Sequence, residues 1–149
     1  MKLYLAPLEG ITNHIYRKAL YECFGGFDKY FIPFIRAKQN LNFSGREKKD
    51  IDPENNQGMY AVPQILTRNA DDFLRTASQL AGLGYREINL NLGCPSKTVV
   101  TKGCGAGFLD RPDELERFLN HIFANTDLKI SIKTRLGMDD AEEFEDLLE

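Results

Sequence analysis

Ile88-Asn89-Leu90-Asn91-Leu92-Gly93-Cys94-Pro95 runs a strand pattern straight into a Gly-Cys-Pro turn, and its reading decides the fold. Ile88, Leu90 and Leu92 alternate with Asn89, Asn91 and Gly93, so one face is apolar and the other carries two amides and a hydrogen. A strand of a parallel sheet is normally covered on both faces, so each amide must then find a hydrogen-bonding partner. The turn sets a thiol where the strand ends.

Strand-like runs recur on either side of this stretch. They span Lys2 to Ala6, Lys29 to Arg36, Tyr60 to Leu66, Glu87 to Leu92 and Leu128 to Thr134, although Pro33 and Pro63 weaken two of them. Helical patterns lie between. Asn13 can cap a helix carrying Ile15, Tyr16, Ala19, Leu20 and Phe24 that ends at Gly25-Gly26. Asn69 or Asp71 opens a second, with Phe73, Leu74, Ala77, Leu80 and Ala81 on one face and Gly82 and Gly84 at its close. A third begins near Arg111-Pro112-Asp113-Glu114, with proline and acids in the first turn, and continues through Leu115, Phe118, Leu119 and Ile122. The alternation predicts an α/β fold with a parallel sheet and right-handed crossovers.

Two segments depart from the alternation. The connection from Ala37 to Met59 is long and polar, as expected of either a mobile active-site loop or a plain surface excursion. The run Asp139 to Glu149 reads as a helix with acids in its first turn and no stop signal. Five strands cannot close an eight-stranded (β/α) barrel, which takes about 250 residues. A barrel reading therefore makes residues 1–149 the first half of one domain.

The chain has 149 residues, of which 42% are hydrophobic, and a net charge of −3. That is enough apolar material for one core. No run of 18 apolar residues predicts a membrane span, and Met1 to Pro7 is too short for a signal-peptide apolar region. The three cysteines, Cys23, Cys94 and Cys104, make no disulfide framework, so a cytoplasmic location is expected. A protein gripping nucleic acid with its whole surface would be basic. Any such partner is therefore held by a local patch or by a part outside these residues.

Three strands repeat one arrangement, apolar in one phase with a polar side chain late in the other. Gln64 stands so in the third strand, Asn91 in the fourth, and Lys133 with Arg135 in the fifth. In α/β folds the carboxyl ends of strands are where ligands bind. One such residue commonly marks a strand boundary, but two amides and fixed cations around one mouth suit a planar, hydrogen-bonding ligand that carries or develops negative charge.

Cys94 follows its strand directly and precedes Pro95, which biases its backbone to an extended form. Cys23, on a helix between Glu22 and Phe24, reads as a small buried hydrophobe. His14 and His121 sit on different helices and complete no zinc pattern, so no metal site is expected. The run Gly103-Cys104-Gly105-Ala106-Gly107 permits close approach of backbone to a ligand or to another loop, but lacks the Gly-Lys-Ser/Thr ending of a phosphate loop.

With these residues in view, the chain resembles the tRNA-dihydrouridine synthases, flavin enzymes on a TIM (β/α)8 barrel. The resemblance rests on Ala6-Pro7-Leu8-Glu9-Gly10-Ile11-Thr12-Asn13, Val62-Pro63-Gln64-Ile65, Asn89-Leu90-Asn91-Leu92-Gly93-Cys94-Pro95 and Ile132-Lys133-Thr134-Arg135-Leu136-Gly137. It implies FMN as cofactor, with Pro7, Leu8, Glu9, Gln64 and Lys133 lining its ring, and NADPH as reductant. It places Asn91 between flavin and substrate, Arg135 close to the substrate, and Cys94 as the acid that protonates C5 of a uracil in tRNA. A thiol with an ordinary pKa near ~8.5 is mostly protonated at neutral pH yet able to give its proton up. The uridine would leave its stack to reach the flavin. Leu8, Asn13 and Cys104 depart from the family pattern. By the same resemblance the FMN-phosphate loops and a helical tRNA-binding domain would lie beyond residue 149.

Two other readings compete. One is an FMN-dependent barrel oxidoreductase acting on a free pyrimidine, akin to dihydroorotate or dihydropyrimidine dehydrogenases. The other is a non-catalytic half-barrel that self-associates through exposed sheet edges.

Overall fold

The computed structural model describes residues 1–37 and 42–148. Five strands, β1 (Tyr4–Leu5), β2 (Lys29–Arg36), β3 (Ala61–Leu66), β4 (Glu87–Leu92) and β5 (Lys129–Thr134), form one sheet in sequence order. Every adjacent pair is parallel. The helices are α1 (His14–Cys23), α2 (Gly45–Ile51), α3 (Ala70–Gly82), α4 (Lys97–Val100), α5 (Pro112–Ala124) and α6 (Glu143–Leu148). Parallel strands in sequence order, joined by helical crossovers, make a curled α/β half-barrel, the arrangement of the first half of a TIM barrel.

The alternation within the strands sorts the two faces. Ile32, Ile35, Ile65, Ile88, Leu90 and Leu92 point outward into a core shared with Phe73, Ala77 and Leu80 of α3 and Leu115, Phe118 and Ile122 of α5. Phe118 meets Phe73 and Phe108 edge-on at centroid distances of 5.9 and 5.4 Å. Such contacts add to the ~1.5–3 kcal/mol that burial of each large apolar side chain contributes. The opposite phase faces the lumen side and is largely polar.

Both prolines are accommodated within strands. Pro63 of β3 stands opposite Ile32, and the β2 register shifts between Ile32 and Ile35, so the irregularity spans Pro33. A local bulge absorbs the missing donor there.

Several expectations change. β1 is confined to Tyr4–Leu5, because Leu3 N–H bonds the Asp28 carboxylate at 2.7 Å instead of continuing the ladder. Asn69 rather than Asp71 caps α3, accepting from Asp72 N. The polar connection after Ala37 is not bare loop. Ser44 and Glu47 close a reciprocal capping box on α2, and a 3₁₀ turn, Pro53–Asn56, follows. The part of that connection at 38–41 lies outside the described residues. The last helix starts at Glu143, since the Glu143 carboxylate accepts the N–H groups of Met138, Asp139 and Asp140 and turns that stretch back.

Helix α1 departs most. Ile15, Tyr16 and Phe24 are exposed, Cys23 is exposed rather than buried, and the buried residue is Arg17. Arg17 donates to the carbonyls of Thr12 and Asp50, each at 2.7 Å, and to Asn56 Oδ1 at 2.9 Å. A polar tether, not an apolar stripe, seats this helix against α2 and the 3₁₀ turn. Burial lowers the Arg17 pKa, and the Asp50 carboxylate opposes that shift.

Candidate active site

On the lumen face of β4, Glu87, Asn89 and Asn91 follow one another, all buried. The amides are partnered across three strands. Gln64 Nε2 donates to Asn89 Oδ1 at 2.6 Å, Asn91 Nδ2 donates to Gln64 Oε1 at 2.8 Å, and Asn89 Nδ2 donates to Ser131 Oγ at 3.0 Å. Each polar group that the strand pattern placed inside the sheet thus has its hydrogen bond, and such a network is rigid because each member orients the next.

At the upper end of this ladder Asn91 does a second thing. Its Oδ1 accepts the N–H of Gly93 at 3.2 Å and of Cys94 at 2.7 Å, an Asx-type cap on the turn that leaves the strand. The other side of the Cys94 backbone is held as well, for its carbonyl accepts Ala106 N–H at 3.0 Å. Gly105, at φ +57°, makes that approach possible. A β-carbon there would stand 2.7 Å from the Cys94 carbonyl oxygen and 2.8 Å from Val99 Cγ1. The glycine run therefore serves loop-on-loop packing, the second of the roles expected of it. Cys94 itself is half-buried, with a free thiol.

Lys133 is the register partner of Asn91 on β5, so the ammonium and the amide ladder share one mouth. Lys133 is exposed and, among the described residues, makes no ion pair. Arg135 lies beyond the strand end and is exposed. Pro7, Leu8 and Glu9 follow β1 on the far side of the sheet, where Leu8 N–H donates to Thr12 Oγ1 at 2.8 Å and closes a turn that Arg17 in turn grips. Leu8 and Glu9 are exposed, and Glu9 borders a cleft of about 170 Å³ with Phe34, Arg46 and Asp50. The structure thus unites Gln64, Asn91, Cys94 and Lys133 and leaves Pro7 to Glu9 across the half-barrel.

At the opposite end of the lumen Glu87 receives Lys29 Nζ at 2.6 and 2.8 Å, Tyr60 Oη at 3.0 Å and Lys129 Nζ at 3.2 Å. Burial pushes its carboxyl up, but hydrogen bonds from Lys29, Ser131, Lys129 and Tyr60 outweigh that and hold it below the usual range. An ion cluster thus stands at the amino end of the lumen face, opposite the strand ends where ligands bind in such folds.

Sequence reasoning missed Ser131 as the anchor of Asn89, and it missed Gly105 and Ala106 as the clamp on Cys94. Asn89 was legible as the second amide of its strand; the three partners, each more than ten residues away from the residue it holds, carried no local signal.

The donor set bears on what the mouth can hold. An ammonium without a carboxylate partner, beside oriented amides, fits the anionic edge of a planar heteroaromatic group such as a flavin. Gln64 has no exposed surface and both its amide atoms are engaged within the ladder, so it acts on that mouth through Asn91.

Parallel strands in sequence order with helical crossovers, and a thiol, amides and a cation at the carboxyl ends of neighbouring strands, define the first half of an α/β barrel by architecture. The chain belongs to the dihydrouridine synthase family, whose model, described as Dihydrouridine synthase (Dus), matches residues 4–148. It is 32% identical over 147 residues to a probable tRNA-dihydrouridine synthase of Staphylococcus aureus (strain COL), covering 97% of this chain and 44% of that protein. It is 33% identical over 148 residues to the tRNA-dihydrouridine(16) synthase of Cupriavidus necator, covering 94% of this chain and 45% of that protein. To the protein of the same name in Ralstonia nicotianae it is 33% identical over 147 residues, covering 93% and 44%. The chain spans a little under half the length of these relatives.

Proposed function

We propose that residues 1–149 form the N-terminal portion of a single FMN-binding barrel that reduces the C5=C6 bond of uridine in tRNA. The observation that carries this reading is the clamp on Cys94, whose N–H and C=O are both fixed at the end of the strand bearing Asn91. A general acid needs such placement, because proton transfer demands hydrogen-bond reach and falls off with small displacements.

Bound FMN, reduced by NADPH, would supply the hydride for C6. Cys94 Sγ gives its proton to C5 from the opposite side of the ring, and the thiolate left behind regains a proton from solvent. Asn91 orients the base beside Cys94, Lys133 stabilises negative charge on the cofactor edge, and Pro7, Leu8 and Glu9 wall the cofactor from the β1 side. Gln64 holds Asn91, and Arg135 meets the substrate at the rim. A cytoplasmic location goes with this reading, because its substrate would be an RNA in solution.

Mass spectrometry of tRNA from cells with and without the intact gene tests this, and loss of dihydrouridine at one position supports it. Turnover of free uracil or uridine with tRNA untouched would favour the small-pyrimidine oxidoreductase instead. The exposed Ile11, Ile15, Tyr16 and Phe24 beside edge strand β1 favour a face that is covered in the working assembly. Size-exclusion and flavin absorbance decide how: a yellow monomer supports a working site, and a colourless dimer supports the self-associating half-barrel.

A further inference from the structure

The chain carries net charge −3, yet cations collect around one loop on the face that holds Cys94. Arg36 ends β2 and pairs in register with Leu66, so it stands at the carboxyl end of the sheet beside the exit of β3. Arg68 follows that exit. A β-carbon on Gly103 would lie 3.4 Å from Arg68 Cδ and 3.5 Å from Arg111 Nε, so both arginines pack on the Cys104 loop. Lys102 is in the loop itself. Burial pushes the Cys104 thiol up, while the charges of Arg68, Arg36 and Lys102 pull it down, which places all three within electrostatic reach of one sulfur.

Neutralisation of this group is incomplete. Glu114 pairs with Arg68 at 3.6 Å and with Arg111 at 3.2 Å. Among the described residues Arg36 and Lys102 have no carboxylate partner, and Arg36 instead lies over the Phe34 ring at 5.3 Å. Four cations thus share one acid. Such clustering is self-repulsive in the free protein and is relieved by an anion. Exposed guanidinium groups match phosphate oxygens in pairs, which an isolated carboxylate ligand would not require in this number.

We propose that Arg36, Arg68, Lys102 and Arg111 form a phosphodiester-binding patch that grips the backbone of the RNA strand presenting its base to Cys94. This rests on the reading of the site as a tRNA-modifying one and adds to it a contact surface within these 149 residues. The patch is on the same face and is packed around the loop that clamps Cys94, so a strand bound there passes the thiol. Backbone contacts of this kind set position without reading sequence.

The test is tRNA binding by the full protein over a range of salt concentrations, with wild type compared with Arg36→Gln/Lys102→Gln. A control, Lys18→Gln/Arg86→Gln, removes the same charge from exposed positions on α1 and at the amino end of β4. Two lost phosphate contacts should lower the slope of log affinity against log salt by roughly 1.4 to 1.8 and weaken binding on the order of tenfold near 0.1 M salt. The control should change neither, and unchanged thermal midpoints show that both variants fold. An unchanged slope in the patch variant overturns the proposal. An equal fall in the control also overturns it, since net charge alone would then explain the loss. A rise in KM for NADPH without loss of tRNA affinity assigns the patch to a nucleotide phosphate and overturns it too. If the slope falls as expected but no dihydrouridine forms in any tRNA, the patch stands and the catalytic reading fails.

Discussion

The side-chain oxygen of Asn91 accepts the backbone N–H of Cys94 at 2.7 Å while its nitrogen donates to Gln64 at 2.8 Å. One amide therefore joins the interior of the half-barrel to the thiol at its mouth. Asn91→Ala should leave Gln64 Oε1 and the Cys94 N–H unpaired. A loss of about 2–3 kcal/mol in unfolding free energy is expected for such buried groups, together with a fall in tRNA reduction larger than any fall in flavin content. Denaturant melts and dihydrouridine assays on one preparation check both, and undiminished turnover would dismiss the clamp.

Cys94→Ala keeps the backbone clamp and removes only the acid. In the complete enzyme, bound flavin and its reduction by NADPH should persist while tRNA reduction falls by about 10²- to 10⁴-fold, the usual contribution of general acid catalysis. Single-turnover mixing of reduced enzyme with tRNA measures this. Oxidation of the flavin by tRNA at the wild-type rate would remove Cys94 from the mechanism.

Gly105→Ala tests the other half of the clamp without touching a polar group. The added carbon meets the Cys94 carbonyl oxygen at 2.7 Å in a backbone conformation of φ +57°, so the loops must part. About 1–3 kcal/mol of destabilisation is expected, and the Cys94 thiol should become more reactive towards a thiol reagent as its loop loosens. Unchanged stability and thiol reactivity would show that the approach is not tight in solution.

Glu87 makes stability pH-dependent with a definite sign. Its carboxyl is held below the ordinary value in the folded chain, so the folded state prefers it ionised. The stabilisation is complete above the unfolded-state value, about 4.3, and is lost as the pH falls through the lower folded value. Stability should thus decline below about pH 5. Glu87→Gln should flatten that decline and cost ~3 kcal/mol at neutral pH by leaving Lys29 unpaired. Thermal midpoints from pH 3 to 7 check this, and parallel pH profiles for the two proteins would refute it.

Arg17→Met removes the guanidinium that bonds the Thr12 and Asp50 carbonyls and Asn56 Oδ1, and leaves the His14 N–H bond to the Asp50 carboxylate in place. A loss of ~3–5 kcal/mol is expected for breaking a fully buried charged network, and Arg17→Lys should recover little of it, because one ammonium cannot span three acceptors in the guanidinium plane. Chemical denaturation of the three proteins gives the comparison, and a fully stable methionine variant would show that the tether is dispensable.

Much of this was legible from local pattern. Strand and helix order, the parallel α/β architecture and the position of Cys94 at a strand end follow from periodicities of two and 3.6 and from caps such as Asn13 and Asn69, all of which act within a few residues. The same locality explains the errors. Ile15, Tyr16 and Phe24 have helical spacing, but nothing in that spacing shows that Arg17 is the residue buried, because its acceptors lie at Asp50 and Asn56. The polar run after Ala37 hid a helix because Ser44 and Glu47 supply the capping rather than an apolar stripe.

The sequence by itself determined which elements form and which side chains lie in the lumen phase, since backbone sterics and burial act position by position. Only the tertiary structure decided that Gln64 on the neighbouring strand holds Asn91, that Gly105 lets a second loop close on Cys94, and that Arg36 and Arg68 stand around the Cys104 loop. Those relations depend on the register of neighbouring parallel strands, which brings together residues tens of positions apart and leaves no trace in any short stretch of chain.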